Sequence, residues 1–222
     1  MALQQFDIHS LAHWSNSPVC LIVGKRGTGK SFLATDILHH LQLDNNEIIF
    51  SGKKETGLLG YNKYQPHLIQ ELLDHRQEVS GASVDDDEKS RVASNNIPTE
   101  TAVVLDDCMR DTTWTRDVAI QNLFADKTRG LGVTCIMTMQ YPMAMPRTLR
   151  DNVDYIFILS DPDIVSRRKL YEQYGAVVDD FELFCYMMDR CNGLGECLLV
   201  SNRATSDNIY HDVFRYTTDM DS

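Results

Sequence analysis

Short apolar runs recur along the chain between polar stretches with helical spacing. Residues 19–23, 47–51, 102–105, 133–139, 155–159 and 197–200 are nearly continuous apolar runs, the pattern of strands buried on both faces. Residues 31–41, 68–79, 115–127, 163–174 and 181–190 have helical patterning. Asp161 or Asp163 is expected to cap the fourth of these helices, with Pro162 near its start. A short turn or helix is expected over 145–152. Strands alternating with helices predict one α/β domain over residues 1–222, with a largely parallel sheet.

Three stretches depart from that alternation. Residues 1–17 carry Phe6, Ile8, Leu11 and Trp14 among polar neighbours and read as a lead-in packed beside the first strand. Residues 80–99, with Asp85, Asp86, Asp87 and Glu88 in a row, read as an exposed, disorder-prone acidic loop. Residues 206–222 are mixed; Tyr210, Val213, Phe214 and Tyr216 can pack, but no element is assigned there.

The first strand runs straight into Gly24-Lys25-Arg26-Gly27-Thr28-Gly29-Lys30-Ser31, and a helix follows at once. This is the P-loop pattern in the strand–loop–helix setting that its mechanism needs. Glycines let successive backbone N–H groups curl around phosphate oxygens, backed by a helix N-terminus. Lys30 is expected to reach the outer phosphates and Ser31 to ligate Mg²⁺, making ATP and Mg²⁺ the expected cofactors.

Two further carboxylates join this motif. The apolar run 102–105 ends in Asp106-Asp107, so Asp106 is placed to hold Mg²⁺ with Ser31, and Asp107 to polarise the attacking water. The strand at 47–51 is expected to lie between the P-loop strand and that of Asp106. Gln140 ends the run 133–139, where an amide can sense the γ-phosphate. Ring ATPases complete such a site with an arginine from a neighbouring subunit; Arg129, Arg150 and Arg147 are the candidates, with Arg129 ranked first.

Composition narrows the partners. With 43% hydrophobic residues the chain can bury a large core, and a net charge of −11 excludes a general nucleic-acid coat. Any DNA contact needs local basic loops, for which 52–63 (Lys53, Lys54, Lys63) and 108–116 (Arg110, Arg116) are candidates. The six cysteines form no Cys-x-x-Cys pair, and several lie in apolar runs, which points to reduced thiols in a reducing compartment. No secretory leader or membrane-spanning run is expected.

The P-loop, Leu105-Asp106-Asp107-Cys108, Thr128-Arg129-Gly130, and Thr138-Met139-Gln140-Tyr141 followed by Pro146, Leu149, Arg150 and Asn152 resemble the viral genome-packaging ATPases of the FtsK/HerA superfamily. The resemblance covers about residues 6–160. It implies a RecA-like (ASCE) P-loop NTPase fold, with a mainly parallel sheet flanked by helices. It also implies a homo-oligomeric ring of five or six subunits that hydrolyses ATP to drive double-stranded DNA into a preformed capsid. Capsid or capsid-vertex proteins would be partners, and the host-cell assembly site the location. The alternatives are a HerA-like translocase or helicase, a small-molecule P-loop kinase, and a non-hydrolysing nucleotide switch.

Overall fold

In the computed structural model, residues 3–9, 17–43, 47–51, 64–81, 100–107, 112–125, 129–140, 145–203 and 212–219 are described. The elements in chain order are β1 (Val19–Val23), α1 (Lys30–His40), β2 (Glu47–Ser51), α2 (Pro66–Gly81), β3 (Thr101–Asp106), a 3-10 turn (Thr112–Arg116), α3 (Val118–Phe124), β4 (Val133–Met139), α4 (Arg147–Arg150), β5 (Tyr155–Leu159), α5 (Ile164–Tyr174), α6 (Phe181–Asp189), β6 (Glu196–Ser201) and β7 (Val213–Thr217).

The strands form one sheet in the order β2-β3-β4-β1-β5-β6-β7. The first five in that order run parallel, and β6 and β7 continue the sheet antiparallel. This is the α/β P-loop ATPase architecture, with helices on both faces of the sheet. One expectation is corrected. The strand separating β1 from β3 is β4, not β2; β2 lies at the sheet's edge, paired only to β3 among the described strands. A strand is inserted between the P-loop strand and the Asp106 strand, but the crossover through α3 supplies it.

Continuous apolar runs became central strands because both of their faces are covered. From β1, Val19, Leu21 and Val23 point to a core built with Ile69 and Leu73 of α2, Leu123 of α3, Leu170 of α5 and Phe184 of α6. Cys20 and Ile22 point the other way, onto Leu33, Ile37 and Leu38 of α1. The helix expected over 115–127 is split. Asp117 accepts the Ala119 N–H at 2.9 Å and starts α3, with the 3-10 turn before it.

The described part of the lead-in, residues 3–9, bridges to β7, while Phe6 and Ile8 join the core cluster that holds Cys20 and Ile22 of β1. Its bridge pairs Gln5 with Arg215 of β7, at the opposite flank of the sheet. The Phe6 N–H donates to the Arg215 carbonyl and the Arg215 N–H to the Gln4 carbonyl, each at 2.8 Å. The Phe6 ring packs on Tyr155 and Phe214. The mixed tail also holds a strand, since β7 buries Val213 and Tyr216 against the sheet. Residues 82–99, including the acidic run, lie outside the described residues.

At the N-terminal edge of the parallel strands, buried Asp154 collects three donors. The Val19 N–H donates at 2.8 Å, the Arg129 guanidinium at 2.6 and 2.7 Å, and Arg203 Nε at 2.7 Å.

At the far end of α1, buried Asp36 accepts from the Tyr216 hydroxyl and from the Asp219 N–H. His40 Nδ1 lies 2.9 Å from the Asp36 carbonyl and its Nε2 3.2 Å from Asp219 Oδ2. The His9 and His39 rings pack on His40. Burial opposes protonation of His40, but the Asp36 carbonyl and carboxylate and the Asp219 carboxylate outweigh it and raise its pKa. Burial raises the Asp36 carboxyl as well, against the Tyr216 hydrogen bond. A pKa raised by folding contributes stability that is full below the unfolded value and is lost as pH rises through the folded one. The protein is therefore expected to melt at a lower temperature at about pH 8 than at about pH 6, with the difference reduced in His40→Gln. Calorimetry at the two pH values checks this.

Candidate active site

The register places the critical residues at one edge. Val23 stands opposite Met139, and Asp106 opposite Thr138, so the P-loop, the Asp106-Asp107 pair and Gln140 all emerge at the C-terminal ends of parallel strands. Ligands bind at this edge in open α/β sheets.

Within the P-loop, Gly27 and Gly29 have φ of 80° and 95°, in the left-handed region that favours glycine. Gly24 is required for space. A Cβ there would lie 2.7 Å from Thr28 Oγ1 and 2.9 Å from Leu159 Cβ. Lys30 is buried, and its ammonium donates to the carbonyls of Gly24 at 2.7 Å and Lys25 at 2.8 Å, which holds it across the loop. The Thr28 hydroxyl donates to the Lys25 carbonyl at 2.8 Å. Arg26 is exposed.

Lys25 leaves the loop to meet Asp161, 2.8 Å away at the β5–α5 connection. The Asp161 carboxylate holds the Lys25 ammonium above its ordinary pKa. Asp163 caps α5 by accepting from the Val165 and Ser166 N–H groups, and its own N–H donates to Asp161. The Ser166 hydroxyl and these N–H groups hold the Asp163 carboxyl below its usual range. A cavity of about 350 Å³ opens here between the loop and α5, lined by Gly24, Lys25, Arg26, Gln140, Ser166 and Lys169 among others.

The Ser31 hydroxyl donates to Asp106, at 3.1 Å from Oδ1 and 3.0 Å from Oδ2. These are hard oxygen donors, facing each other beside the phosphate loop. Among the described residues no group of three or more His, Cys, Asp and Glu side chains is arranged to hold a metal. Mg²⁺ fits this arrangement all the same, because it takes few protein oxygens and completes its shell with phosphate and water.

Asp107 is buried with φ of 50°, a left-handed conformation uncommon outside glycine. Gln140 Nε2 donates to Asp107 Oδ2, so the structure brings these two predicted residues into direct contact. The sequence reading missed Thr138, whose hydroxyl donates to Asp106 Oδ1 at 2.7 Å and accepts the Asp107 N–H at 3.0 Å. Its signal was a polar side chain inside an apolar strand, two residues before Gln140 and hence on the same face.

The arginines are not with this group. Arg129 precedes β4, so it lies at the edge opposite the P-loop, and Asp154 and the Asn152 carbonyl engage its guanidinium. Within this subunit the head group is thus held in an ion pair. Arg150 donates to Gln173 and stacks over Tyr174, with its guanidinium carbon 5.9 Å from the ring centroid. The Arg147 side chain is 83% exposed and among the described residues makes the weak Asp151 pair, at 3.4 Å. Of the two basic loops, 52–63 and 108–111 lie outside the described residues, and Arg116 is exposed.

No family model matches the chain. It is 24% identical over 223 residues to the protein L437 of Acanthamoeba polyphaga mimivirus, an alignment covering 96% of this chain and 75% of that one. The genome-packaging NTPase B204 of Sulfolobus turreted icosahedral virus 2, solved with ATPγS, superposes with a TM-score of 0.54 at 14% identity, over 91% of this chain and 97% of that one. The pCW3 conjugation coupling protein TcpA, also solved with ATPγS, gives 0.56 at 16% identity, over 92% of this chain and 60% of that one. The chain thus shares its fold with these two nucleotide-binding proteins.

Proposed function

We propose that the chain is an ATP-hydrolysing motor that drives double-stranded DNA into a preformed viral capsid, working as a homo-oligomeric ring at the host-cell assembly site. The observation that carries this reading is the meeting of Ser31, Asp106, Asp107 and Gln140 beside the P-loop. The backbone N–H groups of the loop and the buried Lys30 bind the phosphates of ATP. Ser31 and Asp106 would hold Mg²⁺, which would neutralise charge on the phosphate oxygens. Asp107 polarises a water towards the γ-phosphorus, and the bond from that phosphorus to the ADP oxygen breaks. Gln140 orients the Asp107 carboxylate. Of the three candidate arginines, Arg147 is the one whose side chain remains in solvent, so it is assigned the reach into the neighbouring subunit. A capsid-vertex protein is the expected docking partner.

The likeness to a conjugation coupling protein, with a TM-score similar to that of the packaging NTPase but over 60% of that chain, supports a second reading: a DNA translocase that does not dock on a capsid. A small-molecule kinase is disfavoured by the strand inserted between β1 and β3 and by the Asp107–Gln140 contact, which serve hydrolysis. ATPase activity with and without double-stranded DNA, together with mass by light scattering in the same buffer, tests the motor. The expected result is DNA-stimulated release of phosphate from a ring-sized species. A monomer that ignores DNA and phosphorylates a nucleoside overturns the reading.

A further inference from the structure

We propose that Thr138 is a positioning residue that gives the two adjacent carboxylates their separate tasks. The inference rests on the hydrolase reading above. Asp106 and Asp107 are neighbours in sequence, yet one must face Ser31 and the other the attacking water. Along an extended strand, successive side chains already point apart. Here β3 ends between the two, and Asp107 turns into a left-handed conformation that a non-glycine residue occupies at a cost.

Thr138 is 1% exposed and stands opposite Asp106 in the β3–β4 register. Its hydroxyl uses both of its capacities at once, as donor to Asp106 Oδ1 at 2.7 Å and acceptor of the Asp107 N–H at 3.0 Å. The first bond fixes the carboxylate that meets Ser31. The second holds the backbone turn that aims Asp107 at Gln140. One hydroxyl therefore ties the metal-facing side of the site to its water-facing side. Valine has the shape of threonine and can make neither bond.

A threonine in a buried strand can also be simple packing, and the two roles separate in kinetics. The measurement is kcat, KM for MgATP and half-saturating Mg²⁺ for the wild type, Thr138→Val and Thr138→Ser, with binding of a fluorescent ADP as the check of folding. Thr138→Val is expected to keep KM close to wild type, to lose kcat by about 10- to 100-fold, and to need more Mg²⁺. Thr138→Ser is expected to recover most of both losses. If Thr138→Val fails to bind ADP, Thr138→Ala is read in its place against the same criteria. A hydroxyl-free variant with wild-type kcat and Mg²⁺ dependence overturns the proposal, as does a loss that serine does not recover. A wild type that turns over no ATP overturns the hydrolase reading instead, and the two failures are told apart in one series.

Discussion

Lys30→Ala is expected to lose ATP turnover by about 10²-fold or more, the scale for removing one preorganised electrostatic donor from a water-poor site. The ammonium of Lys30 sits across the loop on the Gly24 and Lys25 carbonyls, which holds its charge within the phosphate loop. Nucleotide binding should weaken along with turnover, since the outer phosphates lose a cation in both ground and transition state. Asp107→Asn gives a contrasting result. The amide keeps the volume and an oxygen for Gln140 but cannot take up a proton, so binding should persist while turnover falls by about 10²- to 10⁴-fold. Titration with a fluorescent ADP and steady-state phosphate release distinguish the two. Turnover that survives Asp107→Asn removes the assigned base.

Asp154→Ala is expected to be the most damaging substitution for stability outside the apolar core. It strips Arg129 and Arg203 of their shared counter-ion and the Val19 N–H of its acceptor. Breaking a buried ion pair by removing one partner costs about 3–5 kcal/mol. The two guanidinium groups keep about a fifth of their surface in water, which places the cost near the lower end, about 3 kcal/mol. For a chain of this size that lowers the melting temperature by about 10 °C. Arg129→Ala should follow in the same direction, with turnover per folded molecule retained. A finger residue would show the reverse, an unchanged melting curve and lost turnover, so one thermal scan and one ATPase assay decide which role Arg129 has.

The strands and the phosphate loop were legible because each rests on local information. A run such as Val133–Met139 is apolar at nearly every position only if both faces are buried, and Gly24 to Ser31 carries its own geometry. Sheet order was not legible, because nothing in residues 47–51 says whether the strand joins the centre or the edge. The crossover through α3 decides that, and it set β4 beside β1. In a parallel sheet the residue before a strand and the residue after it lie at opposite edges, so Arg129 and Gln140, flanking the same strand, stand apart within one subunit. β7 escaped notice because it is half-buried, and its bridge to the lead-in joins residues more than 200 positions apart. Thr138 was readable in principle, given the register that pairs it with Asp106.

The pairing of residues 4–6 with β7 has a practical consequence for assembly measurements. A terminal strand without a neighbour presents a row of unpaired N–H and C=O groups, a template for another chain. In this protein the lead-in occupies part of that row through Gln4, Phe6 and Arg215. A version trimmed to start at Pro18 would leave it open, with the Phe214 ring bared of Phe6. Such a version would self-associate edge to edge, and its large scattering mass would imitate a ring while its nucleotide sites faced nothing.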